Sequence, residues 1–197
     1  TIEQSAHFVC NVLTWVGIQS MTPQDLLKRY TKGERIFVKV DLANTDLSLL
    51  DLSHINLSGA NLSRALLHGV TLIRAHLSRV NLEKAKLISA DFSGADLSGA
   101  NLQNALLTSA VFSGASLCGA NLQDAILNHS TLRGANLRNA NLKNANLKGV
   151  DLSGANLLGA NLQNTDLCEA IFEDTAMPDG QFLSSVPQDC ASPQDCA

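Results

Sequence analysis

The sequence predicts an all-β solenoid, a chain wound coil upon coil around its own apolar axis. Two observations predict it. Every fifth residue from Leu42 to Phe172 is leucine or phenylalanine, with no insertion between them. The residue two before each of these is small and mostly alanine, as at Ala60, Ala65, Ala75, Ala85, Ala90 and Ala95. An internal repeat this strict dictates the architecture. The series reaches back to Phe37 and forward through Met177 to Phe182.

A period of five fits neither ordinary element. Five residues advance an α-helix by about 140° beyond a full turn, which would wind the leucines round every face. In a flat strand, leucines five apart would point alternately up and down, leaving half of them in water. The period becomes consistent only if the chain turns a corner within each pentapeptide and brings every leucine back to a common axis. Residues two apart share a face, so alanine points inward with leucine and lets the walls close without overpacking. The other three positions point outward. Asn or Asp stands before the leucine, where its side chain can bond nearby backbone groups at the bend. Gly often stands two after it, as at Gly59, Gly94 and Gly114, where a corner needs positive φ.

Read as Ala-(Asn/Asp)-Leu-Xaa-Xaa, the pattern resembles the pentapeptide-repeat family, and SGANL, SGADLSGANL and RGANLRNANLKNANL match it closely. The resemblance covers roughly residues 37 to 177. It implies a right-handed quadrilateral β-helix with one pentapeptide per side, a number of sides that spacing alone does not give. Four sides imply about twenty residues per coil and about seven coils, a rod roughly 33 Å tall at the usual strand spacing.

Three segments follow. Residues 1–36 are expected to form a small α-helical N-terminal cap, because a stack of strands exposes unpaired backbone at its ends. Phe8, Val12, Trp15, Val16 and Gln19 fall at helical spacing. A second short helix is signalled by Thr22 as N-cap, Pro23 at the first position, Asp25 in the first turn and Gly33 as terminator. Residues 37–182 form the repeat. In 183–197, Pro187 and Pro193 and the doubled PQDCA point to a mobile C-terminal tail.

The leading segment does not read as a signal peptide, and no apolar run reaches transmembrane length. Cys118 and Cys168 lie ten columns apart on a twenty-residue coil, on opposite sides of the rod, and cannot bridge each other. Cys190 and Cys196 either close a small disulfide loop or stay as thiols. A reducing, cytoplasmic compartment is expected.

No enzyme is expected. His54, His68, His76 and His129 fall in four different columns, and His7 lies in the cap, so neither a metal site nor a nucleophile–base pair forms. Asp41, Asp46 and Asp51 lie on successive sides, away from the convergence that acid–base catalysis needs. A convex rod filled by its own leucines lacks a cleft. No cofactor is implied.

What remains is the surface. Leu66, Leu106 and Ile126 replace Asn or Asp in one outward column, with Lys86 among them and Ile88 alongside. They make an apolar strip several coils long, read as a surface for a protein partner or for self-association, with tolerated drift as the alternative. The outward Val111 and Ile171 belong to the next side. Separately, Arg133, Arg138, Lys143 and Lys148 ring one coil with one positive charge per side. They are either an anion contact or solvated charge that keeps the rod soluble.

The expected function is therefore a non-enzymatic protein–protein interaction or regulatory scaffold acting through its outer faces. The alternative is a DNA-mimicking inhibitor or protector of a DNA-binding enzyme such as gyrase, since the resemblance includes acidic, Phe-rich members of that kind. Here the central residue is overwhelmingly Leu and the bases form belts. Direct nucleic-acid binding is disfavoured by a net charge of -4 without a one-sided basic face. The Leu-centred members are abundant in cyanobacteria, and the chain resembles these more closely.

Overall fold

The computed structural model describes residues 20–183. The helical pattern from Phe8 to Gln19 and the tail from 184 onward lie outside the described residues.

The first element is α1 (Pro23–Tyr30). Thr22 caps it, its hydroxyl accepting from the Asp25 amide at 3.1 Å, and Pro23 occupies the first turn, where a missing N–H costs nothing. Gly33, at φ 92, turns the chain out of the helix with its amide on the Tyr30 carbonyl. Leu26 is fully buried. The Tyr30 hydroxyl donates to the Ser53 carbonyl at 2.9 Å, and Arg29 lies 5.0 Å over the ring of Phe37. Just before the helix, Ser20 pairs with Asp41 and the Met21 amide donates to the Asp41 carbonyl. The helix is thereby fixed to the first turns of the repeat.

From Ile36 onward, up to the C-terminal hairpin, the strand-like contacts are parallel bridges between residues twenty apart, running from Ile36↔Asn56 to Asn156↔Ala176. Each rung is held at two levels. The Leu42 amide donates to the Asn61 carbonyl at 2.8 Å, and the Asn61 amide donates to the Val40 carbonyl at 2.9 Å; the same pair of bonds recurs rung by rung. Between rungs the chain bends by a tight turn, in which the Ala60 amide donates to the Leu57 carbonyl at 2.9 Å and the intervening Gly59 has φ 66. Positive φ at the third of four residues is the demand of a type II turn. Glycine meets it without strain, yet Asn, Asp, Arg, Lys, His, Ser, Glu and Leu also stand at these corners with φ between 52 and 62. No Val, Ile or Thr does, because a branched Cβ crowds the backbone most in that region.

Leucine and alanine line the axis. Leu82, Leu97, Leu107, Ala90, Ala100 and Ala110 have no accessible surface. Four pentapeptides separate bridged residues, so the rod has four faces. They are an asparagine face starting at 41–45, an apolar face at 46–50, an aspartate face at 51–55 and a serine face at 56–60.

The C-terminal end departs from the ladder. Met177 is buried, but Phe182 is 73% exposed and does not continue the axial series. Pro178 and Gly180 reverse the chain, the Gly180 amide donating to the Met177 carbonyl and the Met177 amide to the Gln181 carbonyl. The result is a hairpin in which β1 (Thr175–Ala176) pairs antiparallel with β2 (Phe182–Leu183). Pairing outside the last rung turns the Phe182 ring away from the axis. Leu162 and Leu167, with no rung below them, are only half-buried. Among the described residues, no helix is long and apolar enough to cross a membrane.

Candidate functional site

The four faces differ chemically because each outward column repeats only once per coil. On the asparagine face the amides form a ladder. Asn61 donates to Asp41, Asn81 to Asn61, Asn101 to Asn81, and so on to Asn161 on Asn141, at 2.9–3.3 Å. Every donor points toward the N-terminal end, and the chain of dipoles ends on the Asp41 carboxylate. Stacked amides satisfied in this way leave few groups for a ligand.

The aspartate face is also occupied with itself. Asp51, Asp91 and Asp151 each accept from the amide and hydroxyl of the serine two residues on. The Ser53 hydroxyl and amide hold the Asp51 carboxyl below the usual range. Burial acts to raise Asp151, but Ser153 and Arg133 outweigh it and leave the carboxyl lowered. Val111 is half-buried here and Ile171 is 42% exposed.

On the apolar face, bridges place Leu66, Lys86, Leu106 and Ile126 on consecutive rungs of one column, between Asp46 and Asn146. Leu66 and Leu106 are half-buried by their neighbours in the column, while Ile126 is 38% and Ile88 37% exposed. The sequence-predicted strip is thus brought together as one surface. The structure adds a member that the column pattern missed: Leu49, 82% exposed, stands at a corner of the same face with φ 61. Its side chain lies over Gly69, where an added Cβ would meet the leucine methyl at 2.9 Å. The signal was present in the sequence, since leucine replaces the usual corner Gly or Asn at that phase.

The basic ring is not brought together. Arg133, Arg138, Lys143 and Lys148 stand on four different faces. Arg133 is paired with Asp151 at 2.9 Å and Lys148 with Glu169 at 3.1 Å, both carboxylates belonging to the next coil. The four histidines among the described residues share no column, and Cys118 and Cys168 are half-buried on opposite faces. Among the described residues, no group of three or more His, Cys, Asp or Glu is placed to hold a metal ion.

The family model for pentapeptide repeats matches in eight copies over residues 36–72, 65–104, 95–134 and 135–174. The chain belongs to the pentapeptide-repeat family. The fold of that family is the right-handed quadrilateral β-helix, and the bridges twenty residues apart fit its four five-residue sides. Two trypsin-treated variants of QnrB1, a plasmid-mediated fluoroquinolone resistance protein, are similar in structure. One is 18% identical with a TM-score of 0.62, covering 73% of this chain and 79% of that one. The other is 19% identical with a TM-score of 0.61, covering 73% and 78%. HetL, a pentapeptide-repeat protein involved in heterocyst differentiation regulation from the cyanobacterium Nostoc sp. strain PCC 7120, is 26% identical. It covers 83% of this chain and 100% of its own, with a TM-score of 0.23. No curated protein matches the chain in sequence. Identities this low speak to the fold of the pentapeptide-repeat rod and leave its surface chemistry to be read from its own residues.

Proposed function

We propose that this pentapeptide-repeat protein is a non-enzymatic interaction scaffold that binds a protein partner, or a second copy, through its apolar face. The observation that carries this reading is the contiguous column of Leu66, Leu106 and Ile126, flanked by Ile88 and Leu49, on one face of a rod whose asparagine and aspartate faces largely bond to themselves; Ile36 and Val38 are also exposed, at the start of the serine face. Exposed apolar surface gathered in one patch is disfavoured in a free protein and marks a contact site. In this reading α1 closes one end of about seven coils, and the molecule works in the cytoplasm. The basic ring serves solubility, with Arg133 and Lys148 already engaged by carboxylates.

Leu106→Asn combined with Ile126→Asn extends the side-chain pattern of the family across the face. The double variant retains the wild-type melting temperature and loses partner recovery in affinity purification from the native cell. Unchanged recovery rejects the reading.

A second reading, a DNA-mimicking protector or inhibitor of gyrase, is favoured by one observation: residues 151–183 carry six carboxylates and no Lys or Arg. Belts of Arg and Lys above that end work against it. Inhibition of gyrase supercoiling by micromolar protein would establish this reading in place of the first.

A further inference from the structure

The apolar face has a definite order of charge and shape along its length, and from it we propose that its occupant is a second copy of this chain, docked face to face and antiparallel. The inference rests on the apolar face being a contact surface and adds what covers it.

The segment that precedes the first full coil and the last coils are opposite in charge, although the first coil itself carries Asp41, Asp46 and Asp51. Residues 20–39 hold five Lys or Arg against two carboxylates, whereas residues 151–183 hold six carboxylates and no base. Two parallel rods would set base against base and acid against acid. Antiparallel rods set each basic end beside an acidic one.

A two-fold axis lying in the interface and crossing the rods keeps each column opposite itself and reverses the order of rungs. Along the outward column that order is Asp46, Leu66, Lys86, Leu106, Ile126, Asn146, Asp166. An axis at Lys86 would oppose that lysine to its own copy. One at Leu106 would set Asp46 against Asp166. Between Lys86 and Leu106 neither direct opposition arises, and the two lysines stand one rung apart across the axis. Leu66 then meets Ile126 of the other copy, the Lys86 stem lies along Leu106 with its ammonium free to reach water, and Asp46 meets Asn146 beside Lys148, whose ammonium is shared with its own Glu169 at 3.1 Å. The projecting Leu49 lands on the corner where His129 leans over Gly149, an added Cβ on Gly149 being 2.8 Å from the imidazole Nδ1. The same axis gives every apolar residue of the column an apolar or aliphatic partner and sets no like charges directly opposite one another.

The face is roughly 30 Å tall and on the order of 10 Å wide, small beside the ~800 Å² per partner of a stable complex. The pair is therefore weak, symmetric and salt-sensitive, and forms in concentrated solution.

Sedimentation velocity of the full chain over a roughly hundredfold concentration range tests this. The mass should rise from 20.9 kDa toward twice that value, and less so in high salt. Lys148→Glu sets a carboxylate against Asp46 of the other copy and should weaken the dimer about tenfold; adding Asp46→Lys should restore it to within about threefold. A wild-type chain that stays monomeric throughout overturns the inference, and so does a double variant no tighter than Lys148→Glu. If the chain is monomeric while Leu106→Asn/Ile126→Asn still abolishes partner recovery, the contact face stands and only the second copy falls. If neither mass nor recovery responds, both fall.

Discussion

The rings of Phe92 and Phe112 stack on the axis with centroids 4.9 Å apart and planes 5° from parallel. They occupy the leucine position of successive coils, so their spacing is set by the rung separation of the backbone, about 4.8 Å. Both are fully buried. Phe112→Ala removes one of the pair, leaves a cavity between rungs that rigid hydrogen bonds prevent from closing, and should cost about 3–5 kcal/mol. Urea unfolding followed by circular dichroism measures it.

Leu97 has no accessible surface at the centre of the rod. Leu97→Asp places a carboxylate among leucines with no partner and should destabilise by several kcal/mol, collapsing the central coils. A variant that melts with the wild type would refute the inward direction of the leucine column.

Ser130 replaces alanine in the inward column, is 2% exposed, and its hydroxyl has no hydrogen-bond partner. Other buried hydroxyls in that layer are satisfied: Thr165 donates to the Leu142 carbonyl and Thr175 to the Leu152 carbonyl, each at 2.8 Å. Ser130→Ala should therefore raise stability by about 1 kcal/mol, seen as a higher urea midpoint at unchanged slope.

Much of this was legible in sequence because steric demand on the axis is periodic. Leu42 to Phe172 sit inward as their phase requires, and the column of Leu66, Leu106 and Ile126 follows once a coil is twenty residues. The signals of α1, from Thr22 to Gly33, are equally local and reappear as a cap and a turn. Phe182 was misread because phase alone cannot report that Pro178 and Gly180 reverse the chain before it. Leu49 departs from the usual corner Gly or Asn, but these corners also accept Lys, Arg, His, Ser and Glu, so the departure gains meaning only with its exposure. The identity of a partner was not legible, since no column encodes it.

Acid should weaken the rod. The Ser48 amide and hydroxyl hold Asp46 below the ordinary carboxylate range, as Ser53 does for Asp51, and in Asp151 Ser153 and Arg133 outweigh the effect of burial. Each folded-state pKa lies below its unfolded value, so the contribution is present above about pH 4 and is lost as pH falls through the folded value. Melting temperature should be level near neutrality and drop in acid. Asp51→Asn keeps the acceptor oxygen and should flatten part of that drop.

The central claim is that the molecule acts through its apolar face, and neighbouring faces supply the control. A photo-crosslinking amino acid placed at 106, on the apolar face, or at 103, on the asparagine face, probes the two surfaces in the native cell with the fold unchanged. The account predicts discrete adducts from position 106 and none from 103. Equal labelling from both positions, or adducts from 103 alone, would contradict it.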